Sequence, residues 1–287
     1  MSIDHIKIVG VLGAGTMGNG IAHVFARSGF QVILRDVEER FLDRALETIT
    51  KNLDREIKKG KVAEADKPRI LGRLQLVTDP AQLAGADFVV EAISERLDLK
   101  LTALKEADKL LRPEVILASN TSSISITQLA AATSRPDRFL GMHFMNPVPV
   151  MALVEVIRGL QTSEATLATT MALCEKLEKK PVAVNDSPGF VSNRVLMPMI
   201  NEAAFCVMEG VATPEAVDAV MKMGMNHPMG PLELADLIGL DVCLDILEVL
   251  YTGFGDSKYR PCPLLRKMVA AGWLGRKSGR GFYTYAA

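Results

Sequence analysis

Residues 6–12, IKIVGVL, are apolar and rich in β-branched side chains, and Gly13 closes the run. A continuous apolar segment of that length predicts a strand buried on both faces. The period then changes. Met17, Ile21, Val24 and Phe25 recur at steps of three and four, which predicts a helix over 17–28 that Gly29 ends. A second strand is expected over 31–35, with Asp36 at its C-terminal end. Leu42, Ala45, Ile49, Leu53 and Ile57 then mark a long amphipathic helix with Gly60 as its stop. Strand-like runs return at 74–78, 88–92, 115–119 and 139–144, and Leu97, Leu101, Leu104 and Leu111 place a helix between two of them. A strand at 152–157, a helix near 163–178 and a last strand at 181–185 complete this half. Alternation of strand and helix predicts a parallel sheet with helices on both faces, an α/β architecture.

The pattern changes at Asp186-Ser187-Pro188-Gly189. Beyond it the apolar positions keep helical spacing, in segments near 190–209, 214–223, 231–250 and 264–271, punctuated by Gly210, Gly224, Gly230 and Gly272. Two domains are therefore expected, residues 1–186 as α/β and residues 187–287 as all-α. A chain of 287 residues has the length for two such cores.

Composition narrows the function classes. The net charge of −1 supplies no global field for nucleic acid or an anionic membrane, so any anion site must be local. No apolar stretch is long enough to span a bilayer, and residues 1–7 hold charged side chains with no apolar signal region. A cytoplasmic protein without membrane or nucleic-acid partners is expected. The four cysteines, Cys174, Cys206, Cys243 and Cys262, form no C-x-x-C pair and read as reduced, mostly buried thiols, with no metal site.

Gly13-Ala14-Gly15-Thr16-Met17-Gly18 is G-x-G-x-x-G between the first strand and first helix, with acidic Asp36 ending the second strand. In that context the motif points to a Rossmann-type doubly wound sheet that binds a dinucleotide. Gly13 permits a tight turn, Gly15 lets a diphosphate approach the backbone, and Gly18 lets the helix pack closely on the strand. The free N–H groups of the helix start then face the phosphates. Asp36 can accept from the adenosine ribose hydroxyls and repels a 2′-phosphate, which favours NAD over NADP; the neighbouring Arg35 works the other way, since an arginine can accommodate that phosphate.

A dinucleotide that accepts a hydride leaves a proton to be removed, and an imidazole suits that task. Of the four histidines, His5 precedes the first strand, His23 lies on the first helix and His227 lies in a Pro/Gly-rich turn. His143 ends a predicted strand ahead of Asn146 and Pro147, and ligands of open α/β sheets bind outside the carboxyl ends of the strands. A lone histidine is more often structural, so this position alone leaves both roles open.

Further segments coincide with one family. The nucleotide loop, SNTSS at 119–123, GMHFMNPVPVMALVEVI at 141–157, DSPGFVSNR at 186–194, HPMGPLELAD at 227–236 and GRKSGRGFY at 275–283 make the chain resemble the short-chain L-3-hydroxyacyl-CoA dehydrogenases, and among them the monofunctional bacterial 3-hydroxybutyryl-CoA dehydrogenases. The resemblance covers essentially the whole chain. It implies NAD-dependent interconversion of a 3-hydroxyacyl-CoA and a 3-ketoacyl-CoA, with His143 as base or acid, Glu155 orienting it, Asn193 beside the substrate carbonyl and Ser122 touching substrate and nicotinamide. Asn146 is similar to a supporting polar residue, and Glu95, Lys100 and Lys277 match positions that border the nicotinamide half of NAD. A homodimer through the helical domain is also implied.

Physical chemistry agrees with the assignment of Glu155. Its neighbours Leu153, Val154, Val156 and Ile157 are apolar, so the carboxylate is at least partly buried and needs a partner. Ser122 and Asn193 also have plain structural readings, as a helix cap and an interface amide. The basic run Lys51–Arg73 reads either as a solvated helix face or as the counterpart of CoA phosphates. The resemblance assigns Lys59 and Arg55 to CoA, with arginine standing where lysine is frequent in the family. Competing readings are an NAD dehydrogenase of a free hydroxy acid such as gulonate, and a non-catalytic NAD-binding structural protein.

Overall fold

The computed structural model describes residues 3–285; Met1, Ser2, Ala286 and Ala287, the outermost residues of the two expected domains, lie outside them. The chain divides into two compact units, Met1–Asp186 and Ser187–Ala287.

The first unit runs β1 (Ile8–Leu12), α1 (Thr16–Arg27), β2 (Gln31–Arg35), α2 (Glu39–Lys58), α3 (Lys67–Leu71), β3 (Leu74–Val77), β4 (Phe88–Glu91), α4 (Leu97–Leu110), β5 (Ile116–Ser119), α5 (Ile126–Ala130), β6 (Phe139–Phe144), β7 (Leu153–Arg158), α6 (Glu164–Lys176) and β8 (Lys180–Asn185). Its eight strands lie in the order β3-β2-β1-β4-β5-β6-β7-β8. The order reverses between β1 and β4, which opens a crevice at the carboxyl ends of the strands. The apolar strands are buried as their sequence predicts: all four residues of β4, of β5 and all six of β6 are buried.

One expectation fails. The sheet is not all parallel: β7 runs antiparallel to β6, while every other neighbouring pair is parallel. The cause is the connection. Residues 145–152 form a short loop with no helix to return the chain to the other end, so the strand reverses direction. Helix α6 supplies the long crossover after β7, and β8 is parallel to it again.

The second unit is helical: α7 (Ser192–Met208), α8 (Pro214–Gly224), α9 (Pro231–Ile238), α10 (Leu240–Phe254) and α11 (Pro263–Ala270). The helix expected over 231–250 is two helices. Gly239 sits at φ +108°, outside the helical region, and its N–H and carbonyl end one helix and start the next. Met197, Ile200, Ala235, Cys243, Leu247, Leu250 and Leu265 build its core. Trp273, the single tryptophan of the sequence, packs against that core beneath the Arg280 guanidinium, 3.6 Å from the ring centre. Two short turns of bridged backbone at 275–284 are its only β-like features among the described residues.

All four cysteines are free thiols, with Cys174, Cys243 and Cys262 buried and Cys206 partly so. Burial pushes the Cys174 and Cys243 thiols up to about 12, so neither is a reactive thiolate near neutrality. Among the described residues no helix is long and apolar enough to cross a membrane, and no cluster of side chains could hold a metal ion.

Candidate active site

The glycine loop joins β1 to α1. Gly13 has φ +96°, and a Cβ there would stand 2.7 Å from the Ala92 carbonyl oxygen. Its N–H donates to the Arg35 carbonyl at 2.8 Å, which ties the loop to β2. A Cβ on Gly15 would meet nothing within 4 Å, so the space above that backbone is open. Gly18 is required for a different reason from the expected helix-on-strand packing. A Cβ there would lie 1.7 Å from the Gly13 carbonyl oxygen, whereas the nearest strand atom, on Val11, is 3.7 Å away. The tight approach is therefore between the loop and the first turn of its own helix. No side chain caps the start of α1, whose cap position is Gly15, so the positive end of the helix faces outward past exposed Gly15 and Thr16. Ala14 is buried and Met17 is half-buried beneath them.

Asp36 braces this loop as well as ending β2. One carboxylate oxygen accepts from the Ala14 N–H and the other from the Val37 N–H, both at 2.7 Å. Each oxygen retains a second acceptor site for a ribose hydroxyl. Arg35 turns its Nε to the Thr78 carbonyl at 3.3 Å.

The sheet register carries the next pair. His143 on β6 faces Glu155 on β7 directly across the antiparallel ladder. The His143 Nδ1 and a Glu155 carboxylate oxygen are 2.9 Å apart, with both residues buried. A carboxylate only accepts, so Nδ1 carries the proton and Nε2 is the acceptor nitrogen of the neutral ring. Glu155 is thus no surface residue of an edge strand: β8 lies outside β7 and covers it. Asn120, at the end of β5, accepts from the Phe144 N–H at 2.9 Å and fixes the strand end that bears the histidine.

A second polar cluster lies between β4 and β5. Glu91 ends β4 and is fully buried; it accepts from the Lys100 ammonium at 2.7 Å, the Ser119 hydroxyl at 2.5 Å and the Ile93 N–H at 2.7 Å. Lys100, itself buried, reaches on to Glu95 at 3.3 Å. One Glu95 oxygen accepts from the Thr121 hydroxyl, the Ser122 N–H and hydroxyl, and the Ser123 N–H, at 2.5, 2.8, 3.2 and 3.1 Å. Desolvation works to raise the Glu95 carboxyl, but Lys100 and the donors of residues 121–122 outweigh it and hold the group below the ordinary glutamate range. Glu91 and Ser119 carry no role in the sequence reading. Their signal was an acid closing an otherwise apolar strand, FVVE, with no partner nearby in sequence.

The remaining candidates are dispersed. Asn146 is exposed on the loop after β6. In the second unit, Asn193 is buried in the first turn of α7, and Lys277 donates to Asp241 at 2.6 Å. Arg55 is exposed on α2 and donates to Asn52 at 3.2 Å, and Lys59 is exposed at the C-terminal cap of that helix. The described contacts join neither of them to the clusters around His143 and Ser122. His23, by contrast, is wholly buried beside Glu56 at 3.2 Å.

Comparison with known proteins gives a consistent picture. The sequence profile of the 3-hydroxyacyl-CoA dehydrogenase NAD binding domain matches residues 8–187, and that of the 3-hydroxyacyl-CoA dehydrogenase C-terminal domain matches residues 189–285. The chain is 54% identical to the 3-hydroxybutyryl-CoA dehydrogenase of Bradyrhizobium diazoefficiens over 98% of its own length and 96% of that protein. It is 50% identical to the enzyme so named from Clostridioides difficile, covering 96% and 98% of the two chains. Among solved structures it is similar to (S)-3-hydroxybutyryl-CoA dehydrogenase from Ralstonia eutropha, with a TM-score of 0.96 and 56% identity over 98% of this chain and all of that one.

The buried Glu91–Lys100 pair yields a stability test. Glu91→Ala should lower the unfolding free energy by about 3–5 kcal/mol, because the Lys100 charge stays buried with only Glu95 left to it. Urea unfolding of the purified variant measures this, and a loss under about 1 kcal/mol would show that the pair contributes little to the fold.

Proposed function

The chain belongs to the 3-hydroxyacyl-CoA dehydrogenase family, and from that premise we propose that it interconverts (S)-3-hydroxybutyryl-CoA and acetoacetyl-CoA with NAD. The observation that carries the mechanism is the buried 2.9 Å pairing of His143 with Glu155 at the carboxyl end of β6. Strands β1, β4, β5 and β6 are parallel in sequence of pairing, so the glycine loop and His143 lie at the same edge of the sheet. That is the edge where ligands of this architecture bind.

The open backbone at Gly15 and the uncapped start of α1 suit a dinucleotide diphosphate, and Asp36 suits the adenosine ribose. Asp36 adds a negative charge at that point, which supports NAD over NADP. Glu95, Lys100, Asn146 and Lys277 are assigned to the nicotinamide half. Bound NAD supplies the hydride acceptor. The chain's own residues handle the proton. His143 Nε2 removes it from the substrate hydroxyl, and Glu155 holds the ring and stabilises the imidazolium that results. In the reduction the imidazolium returns that proton to the forming alkoxide. Ser122, fixed by Glu95 at 2.8 and 3.2 Å, contacts the substrate oxygen, and Asn193 steadies the acyl group. Arg55 on α2 and Lys59 at its C-terminal cap answer the phosphates of CoA. A cytoplasmic enzyme is part of this reading.

The same reading includes a homodimer through the second unit. Val211, Val220, Met223 and Met225 are 61–82% exposed on or beside α8, an apolar surface that a second copy would cover. Light scattering on the eluting peak of a sizing column should give twice the chain mass of 31.2 kDa; a single-chain mass at micromolar concentration would remove the dimer.

Purified protein should oxidise NADH with acetoacetyl-CoA but not with free acetoacetate, read as loss of NADH absorbance. In that assay His143→Ala should lower kcat by about 10²–10⁴-fold and leave NAD affinity nearly intact. Retention of most turnover would take His143 out of the mechanism. Asp36→Ala should weaken NAD and raise the relative use of NADP, and an unchanged ratio of the two cofactors would count against its ribose role.

A further inference from the structure

The loop 145–152 joins the strand that carries His143 to the strand that carries Glu155. Its own hydrogen bonds are few: the Val150 and Met151 N–H groups donate to the Pro147 carbonyl at 2.9 and 3.0 Å. What secures it is Lys179, in the connection between α6 and β8. The Lys179 ammonium donates to the carbonyls of Val148 and Met151, the latter at 2.8 Å. The next residue, Lys180, donates its N–H to Ala152 at 2.8 Å. Val148 is buried, and a Cβ on Gly20 of α1 would come within 2.8 Å of it, so the clamped loop also bears on the helix that starts at the glycine loop.

The clamp is an odd choice for a merely structural bond. Lys179 is 6% exposed, yet no carboxylate among the described residues lies within ion-pair distance of it. The groups facing it are Arg27 on α1, Glu56 on α2, and Cys174 and Glu178 at the end of α6. Glu56 is committed to His23 and to Arg27, at 3.2 and 2.7 Å, and Glu178 is exposed. A buried cation held only by two carbonyl dipoles, with an arginine nearby, costs stability that a neutral donor would not. Its benefit is local: two charge-assisted bonds that freeze one loop.

We propose that Lys179 is a positioning residue for the dehydrogenase reaction, clamping the loop between β6 and β7 so that Asn146, His143 and Glu155 keep one geometry. The kinetic part of this rests on the dehydrogenase reading; the clamp itself does not. Burial and the Arg27 charge bring the Lys179 ammonium down to about 8. The charged clamp is therefore fully made below that pH and weakens as pH rises through it. The stability linkage has the opposite sign. Between about pH 8 and the ordinary lysine value of 10.5 the unfolded chain binds the extra proton, so global stability from this group rises with pH while the loop loosens.

The test uses two substitutions in the full chain. Lys179→Met keeps the apolar stem and removes the donor. Lys179→Arg keeps the charge at every accessible pH, and the open cavity of about 640 Å³ that Lys179 lines has room for a guanidinium. Lys179→Met should lower kcat with acetoacetyl-CoA about tenfold at pH 7, keep the dissociation constant of NADH within about twofold, and speed amide hydrogen exchange in residues 146–152 about tenfold. Lys179→Arg should restore kcat to within about threefold of the parent and remove a fall in kcat near pH 8. A Lys179→Met protein with parental kcat, or one with parental exchange in that loop, overturns the proposal. Should Lys179→Met fail to fold, exchange in the parent protein decides. Corrected for the intrinsic base-catalysed rate, the loop should exchange faster above about pH 8, and a flat corrected rate overturns the clamp. A parent with no turnover would refute the dehydrogenase reading and leave the exchange measurement to decide the clamp.

Discussion

The pairing of His143 with Glu155 depends on one reversal of strand direction. In a fully parallel sheet neighbouring strands join through long crossovers, and residues facing each other come from distant parts of the chain. Here a short loop turns β6 back as β7, and residues twelve apart in sequence meet across a ladder. The register then does the rest. Shifting it by a single residue would turn Glu155 to the other face of the sheet and leave a carboxylate buried without a partner. The apolar residues on either side, Val154 and Val156, are fully buried and oppose any such slip.

The two polar clusters solve the same problem in different ways. Glu155 pairs with one imidazole ring, while Glu91, Lys100 and Glu95 form a chain of alternating charge that passes from the sheet interior to the hydroxyl of Ser122. Alternation matters because each of these three charges then has an opposite neighbour. It also ties two loops, residues 93–96 and 119–123, to a single carboxylate at the end of β4.

Much of this was legible in the sequence because it rests on local periodicity. The strand over 31–35 has the expected bounds, and β1, α1, α2 and β8 lie within a few residues of their expected places. The glycine loop was readable for the same reason: its residues sit between a strand and a helix that announce themselves. The antiparallel strand was not, since direction depends on what connects two strands and not on what they contain. Gly239 was missed because its neighbours on both sides share one apolar stripe, and only the backbone angle reveals the break. The five-residue helices α3 and α5 are too short to show a period. Glu91 and Lys179 escaped notice because a single charged residue in a sequence carries no mark of burial. Their partners lie across the fold, as with the carbonyl oxygens that Lys179 meets about thirty residues upstream.

Trp273 has an optical consequence. It is the only indole in the chain, and it stands in the helical unit beneath an arginine. Emission excited at the red edge of indole absorption therefore originates from that unit alone, while circular dichroism reports helices in both. Any difference between the melting curves seen by the two signals would measure how independently the two bodies unfold.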